Sequence, residues 1–156
     1  MHDRVGGQQF LALVFVIRDE LYALEQDGAV TLLPWLQRYQ RPSAVPSLHE
    51  WCLGLLNVRG TIQMLVDLGC LLGLGASETG GQSRLIFIEH NSVRLGLAVD
   101  REIGIRTLRY ADLPGTVTTP FVTTGAQLGD GSVYVLDGGA LLRHVSGALR
   151  APASSL

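Results

Sequence analysis

The side chains that could do acid–base, nucleophilic or metal chemistry are scattered along this chain. His2, His49, His90 and His144 fall in the N-terminal stretch, a loop, a turn and a helical stretch, with no two at metal-ligand spacing. Cys52 and Cys70 each stand alone in an apolar run. That is neither a zinc pattern nor a redox Cys-x-x-Cys, and in such runs Cys packs as a small hydrophobe. No Gly-x-Ser-x-Gly elbow occurs. Gly69, Gly73 and Gly75 separate elements and do not form a phosphate cradle. The carboxylates fall mainly in turns and at helix starts. No catalytic constellation assembles, so the reading is a non-enzyme with no cofactor and no metal.

One charged residue stands out by its setting. Between Gly54 and Leu74 (GLLNVRGTIQMLVDLGCLLGL) only Arg59 and Asp67 are charged. The apolar runs Leu55–Val58 and Ile62–Val66 flank Arg59-Gly60, which reads as strand, tight turn, strand, with Gly taking the positive φ of the reversal. Asp67 is placed to cap a short helix over Leu68–Leu72, and Gly73 to end it. Asp67 thus has a local structural task. Arg59 has none, and its planar donor fork suits a partner's carboxylate or carbonyls.

The elements that would position Arg59 read as follows. Gln9–Ile17 is almost continuously apolar, as in a strand buried on both faces. Arg18-Asp19-Glu20 turns the chain and Leu21–Leu24 returns. Ala29–Leu33 is a short apolar continuation. Pro34–Pro46 is a loop in which Trp35, Leu36 and Tyr39 mix with Arg38 and Arg41, either a contact surface or a lid on the core. Trp51 is expected in the core. Gly75–Ser83 is small and polar, a linker. Arg84–Glu89 and Val93–Val99 form a hairpin. Glu102–Leu108 alternates, with Ile103 and Ile105 expected inward. Tyr110–Pro120 is a loop. Gly129-Asp130-Gly131 is a hairpin turn, and Asp137 caps a helix whose apolar stripe is Leu141, Leu142, Val145, Ala148 and Leu149. LVFVIRDELYAL is echoed by LIFIEHNSVRLGLAV, and GTIQMLVDLGCLL by GSVYVLDGGALL, at nearly the same offset. That pattern predicts a duplicated β unit, hence two small barrels meeting along a groove.

The run G-L-L-N-V-R-G-T-I-Q-M-L-V-D-L-G resembles the signature of the CheW-like domain, the coupling protein of bacterial chemotaxis. The resemblance fixes polar residues, Asn57, Arg59, Gly60 and Asp67, inside an apolar run, although Met64 stands where that family often has Pro. It extends from about Phe10 to Leu149 and includes Tyr22-Ala23-Leu24, Gly96-Leu97-Ala98-Val99-Asp100 and Leu136-Asp137. It implies an all-β fold of two five-stranded SH3-like barrels side by side with short helices. The expected organisation is a single domain over 9–150, with the linker at 75–83 and flexible tails at 1–8 and 151–156. The resemblance also implies an adaptor bridging a histidine kinase's regulatory domain and the cytoplasmic tip of a chemoreceptor. The alternatives are a CheW-like module in another circuit, such as pilus-driven motility, and a small-ligand sensor. In that family a Glu in V-x-E-I accompanies the Arg. Here the segment reads Ala29-Val30-Thr31-Leu32, so Thr31 replaces the Glu, and Arg59 is left for a partner, for Glu25 or for Asp27. The partner surface implied is Arg59, Asn57 and Val58 with Ala29, Val30, Thr31 and Leu32.

Composition narrows the classes further. A chain of 156 residues with 47% hydrophobic and 17% charged residues can bury a core and is not a disordered polymer. A formal net charge of −2 argues against a dedicated nucleic-acid binder. All 12 cationic side chains are Arg, which keeps its charge when half-buried. The N-terminus lacks a signal-peptide core and no apolar run reaches membrane-span length, so no direct membrane insertion is expected. The expected location is the cytoplasm, at the inner face of the membrane in receptor arrays.

Overall fold

The computed structural model describes residues 6–25, 31–32, 37–38, 41–43, 49–77, 80–113 and 119–150. Its strands are β1 (Gln9–Ile17), β2 (Glu20–Glu25), β3 (Thr31–Leu32), β4 (Gln37–Arg38), β5 (Cys52–Val58), β6 (Thr61–Asp67), β7 (Arg84–His90), β8 (Val93–Val99), β9 (Arg101–Ala111), β10 (Val122–Leu128) and β11 (Gly131–Leu136). Helix α1 (Leu68–Leu71) follows β6 and α2 (Gly138–Arg150) follows β11. The trailing segment 151–156, Trp35 and Asp27 lie outside the described residues.

Two-residue turns fix the hairpins. Arg18-Asp19, Arg59-Gly60 and Asn91-Ser92 all have positive φ at both positions, the type I′ geometry whose twist suits antiparallel strands. The strands form two sheets. One is a closed barrel, β1-β2-β11-β10-β9. The other is a six-stranded sheet of order β3-β7-β8-β6-β5 with β4 also pairing to β7, and Ser43, beyond β4, bridges Leu55 of β5. The all-β plan of two units therefore holds, one a closed five-stranded barrel and the other a six-stranded sheet.

The duplication is visible in detail. Trp51 O accepts from Asp67 N and Phe121 O from Asp137 N, both at 2.8 Å. Asp67 caps α1 through Cys70 N at 3.1 Å, and Asp137 caps α2 through Ala140 N at 2.9 Å. Both copies carry a bulge early in the hairpin, between Cys52 and Gly54 and between Val122 and Thr124. The copies exchange strands, however. The first hairpin, β1–β2, joins the late strands β9–β11, and the middle hairpin, β7–β8, joins β5–β6. Each sheet is sealed by one parallel pair, β2 with β11 and β6 with β8. Segment 75–83 therefore connects two parts of the same sheet and is not the boundary between barrels.

The sheets do not meet along a groove. Leu13, Phe15, Ile17, Tyr22 and Leu24 from the barrel pack against Val66, Ile86, Ile88, Leu95, Leu97 and Val99 from the second sheet. Leu141, Leu142 and Val145 of α2 close this shared core. Each sheet also has its own smaller interior. Ala12, Val14, Ala23, Leu108, Ala126, Val133 and Val135 fill the barrel, and Val58, Leu65, Leu85, Phe87 and Ala98 lie inside the second sheet. Trp51 is half-buried against the shared core and stacks on His49 with ring centroids 4.6 Å apart.

Other expectations are corrected. Ile105 is exposed (57%), because Gly104, at φ +114, sits at a β-bulge that leaves Ile103 unpaired and reverses the alternation. Residues 75–77 are pinned: Ser77 gives its N–H and hydroxyl to Asp67 at 2.9 and 2.7 Å, and the Arg18 guanidinium bonds Ala76 O. In the N-terminal stretch read as flexible, Gly7 N donates to Tyr110 O and Tyr110 N to Gln8 O, extending the pairing with β9. Tyr110 itself lies in β9 and not in a loop.

Candidate partner-binding site

The β5–β6 hairpin presents the central signature. Asn57 Oδ1 accepts the Gly60 N–H at 2.9 Å and so locks the turn. Gly60 takes φ +82. Arg59, at φ +53, projects from the turn into solvent, and it also makes a contact within the chain. Val58 is a correction: it is buried with Leu65 and Phe87 inside the second sheet. Strand alternation puts Asn57 on one face and Val58 on the other, so Val58 supports the hairpin from within and offers a partner nothing.

The second predicted segment is only partly placed. Thr31 and Leu32 form β3, opposite Glu89 and Ile88 of β7. Ala29 and Val30 lie outside the described residues. In the sheet order β3 and β5 occupy opposite ends, with β7, β8 and β6 between them. Glu25 accepts the Tyr110 hydroxyl at 2.7 Å.

Two neighbours were missed. Ile62 directly opposes Asn57 across the hairpin and is 60% exposed, one of three large exposed hydrophobics among the described residues, with Leu11 and Ile105. It places a large apolar side chain beside the turn that Asn57 holds. Gln63 opposes Leu56, faces the second sheet's interior and is only 3% exposed, and neither amide atom has a hydrogen-bond partner. Leaving such a group unsatisfied costs about 1–3 kcal/mol. Both were visible as letters in the strand Thr61–Asp67, where a lone Gln in step with Leu65 has to point inward.

Beside them is an open cleft of about 440 Å³, lined by Ile62, Gln63, Met64, Glu89 and Arg94 among others. It exists because the parallel β6–β8 pairing starts only at Met64 opposite Leu95, so the strand ends splay. Glu89 and Arg94 face each other across β7–β8 and form an ion pair, which leaves the cleft without net charge.

Nothing near the hairpin resembles an activated nucleophile. Burial raises the Cys70 thiol above its ordinary range, helped by the Asp67 and Glu50 carboxylates, the wrong direction for a thiolate. Among the described residues no cluster of His, Cys, Asp and Glu could hold a metal ion, and no helix is long and apolar enough to cross a membrane.

Two interlocked β units sharing one core, each with an Asp-capped helix after its hairpin, define a class of protein. The CheW-like domain model matches residues 11–146, and the chain belongs to that family. It is 26% identical over 101 residues to Chemotaxis protein CheW of Bacillus subtilis (strain 168), covering 65% of this chain and 62% of that protein. It is 35% identical over 66 residues to Protein PilI of Pseudomonas aeruginosa, covering 42% of this chain and 37% of that one. The chain thus spans less than two thirds of the length of either relative. In fold it resembles the crystal structure of scaffolding protein TtCheW from Thermoanaerobacter tengcongensis, with a TM-score of 0.69 at 23% identity, covering 85% of this chain and 90% of that one.

Proposed function

We propose that the protein is a non-catalytic adaptor that couples chemoreceptors to a histidine kinase in chemotaxis-type signal transduction. The observation that carries this reading is the β5–β6 hairpin end. Arg59 and Ile62 stand out on the surface beside a turn that Asn57 holds rigid. A preformed apolar and cationic contact lowers the ordering cost of docking. The similarity to chemotaxis proteins supports this reading, in which the hairpin's partners are the kinase's regulatory domain and the receptor's cytoplasmic tip. Adaptor function needs two surfaces held in fixed geometry, and the shared core between the sheets supplies the rigidity. The proposed setting is the cytoplasmic face of the membrane, in receptor arrays.

The test is titration of the protein with a purified kinase regulatory domain and, separately, with a receptor tip fragment. Saturable binding to both, and a ternary complex when all three are mixed, supports the adaptor. Binding to neither overturns it. The likeness to Protein PilI favours a second reading, the same kind of module in a pilus-driven motility circuit, which kinase fragments from the two circuits would separate by affinity.

A further inference from the structure

The Gln63 amide is the one side-chain amide among the described residues that is buried without a partner. A fold gains nothing from such a group, because an apolar side chain of similar volume in its place removes the penalty. Its surroundings give it a use. Gln63 lines the cleft where β6 and β8 splay, and no hydrogen bond holds its amide back. A rotamer change that carries the amide into the cleft therefore breaks nothing.

The chemistry of the cleft selects its occupant. A primary amide offers one acceptor and two donors, and its natural complement is another amide. Arg94 and Glu89 neutralise each other at the wall, so the cleft favours a neutral group over a carboxylate or an ammonium. The cleft is open to the surface and Ile62 stands exposed at its rim. An open cleft cannot enclose a small molecule as ligand pockets do. It suits a side chain or turn presented by a protein, with apolar contact on Ile62.

We infer that the splayed β6–β8 end is a recognition cleft in which Gln63 hydrogen-bonds an amide group, from an Asn or Gln side chain or the main chain, of the protein partner that docks on the β5–β6 hairpin. This inference rests on the adaptor reading. Gln63 is then a specificity group kept at a cost to the free protein.

The experiment pairs stability with binding. Gln63→Leu is expected to raise the melting temperature, since it removes an unsatisfied buried group. It is also expected to weaken binding of the kinase regulatory domain or the receptor tip by at least about tenfold, the effect of a lost interface anchor. The side-chain NH₂ resonances of Gln63 in ¹⁵N-labelled wild-type protein should shift when that fragment is added. A smaller loss of affinity for both fragments overturns the inference and leaves the adaptor intact. If Gln63→Leu does not fold, the wild-type spectrum decides: unmoved Gln63 resonances in a saturated complex overturn it. A wild-type protein that binds neither fragment overturns both the adaptor reading and this inference.

Discussion

In the closed barrel, the third residue of β11, the second of β2 and the next-to-last of β1 are Val133, Leu21 and Val16. In the second sheet, the matching places of β6, β8 and β7 hold Gln63, Arg94 and Glu89. The parallel seam of the barrel begins at Val133 opposite Leu21, whereas that of the second sheet begins one pair later, at Met64 opposite Leu95. Three apolar side chains let strands zip to their ends. An amide and an ion pair in the same places leave the end open. The difference teaches that how far a parallel seam pairs is decided locally, and that one copy of a duplicated unit can keep its strand end available while the other pairs to its end.

The largest expected effect tests whether the two sheets are one cooperative unit. Phe15 is fully buried in the shared core. Phe15→Ala should cost about 3–5 kcal/mol, the usual range for a buried aromatic truncation. Tryptophan fluorescence and far-UV circular dichroism should report the same denaturation midpoint in wild type and variant. Separate midpoints would mean that the sheets unfold independently.

Next, Val133→Gln gives the barrel the polar seam of its counterpart. Val133 is fully buried, so the new amide should destabilise by about 2–3 kcal/mol. Urea denaturation measures it, and a loss under about 1 kcal/mol would show that the barrel end tolerates polarity as the second sheet does.

The caps should differ although their sequences match. Asp67 is buried and accepts from Cys70 N and from both donors of Ser77, while Asp137 is half-buried and accepts from Ala140 N. Asp67→Ala should cost about 2–3 kcal/mol and Asp137→Ala about 1 kcal/mol, a plain N-cap loss. Equal losses in denaturation midpoints would erase this asymmetry.

The smallest stability effect belongs to the hairpin tip. Arg59→Ala should change stability by less than about 1 kcal/mol, as for an exposed charge. It should weaken partner binding by more than about 1 kcal/mol if Arg59 anchors the interface. A variant that unfolds would reassign Arg59 to structure, and one with unaltered binding would move the interface elsewhere.

What the sequence revealed was what chemistry fixes locally. Arg59-Gly60 and Gly129-Asp130 announce turns, and Asp67 and Asp137 announce helix starts, because each acts on groups within a few residues. The all-β class and the duplication follow from repeating those signals. The exchange of hairpins between copies was not legible, since β2 meets β11 across most of the chain and no local period encodes that. Ile105 was misplaced because a bulge at Gly104 breaks the two-residue rhythm on which the reading relied. Val58 was a different kind of miss: strict alternation from Asn57 would have placed it inside. Within the candidate site the turn residues were legible, but Ile62 and Gln63 gained meaning only once the seam beside them was seen to open late.

The strand exchange also has a consequence for how the chain is born. All the strands of the second sheet lie before residue 100, so it can assemble while synthesis continues. The hairpin β1–β2 emerges first but finds its barrel partners only when β9, β10 and β11 leave the ribosome. At about 5–20 residues per second, that wait lasts on the order of 5–20 s. Throughout it Leu13, Phe15 and Ile17 have at most the second sheet to cover them. The barrel, which takes its strands from both ends of the described chain, is the sheet that can close last.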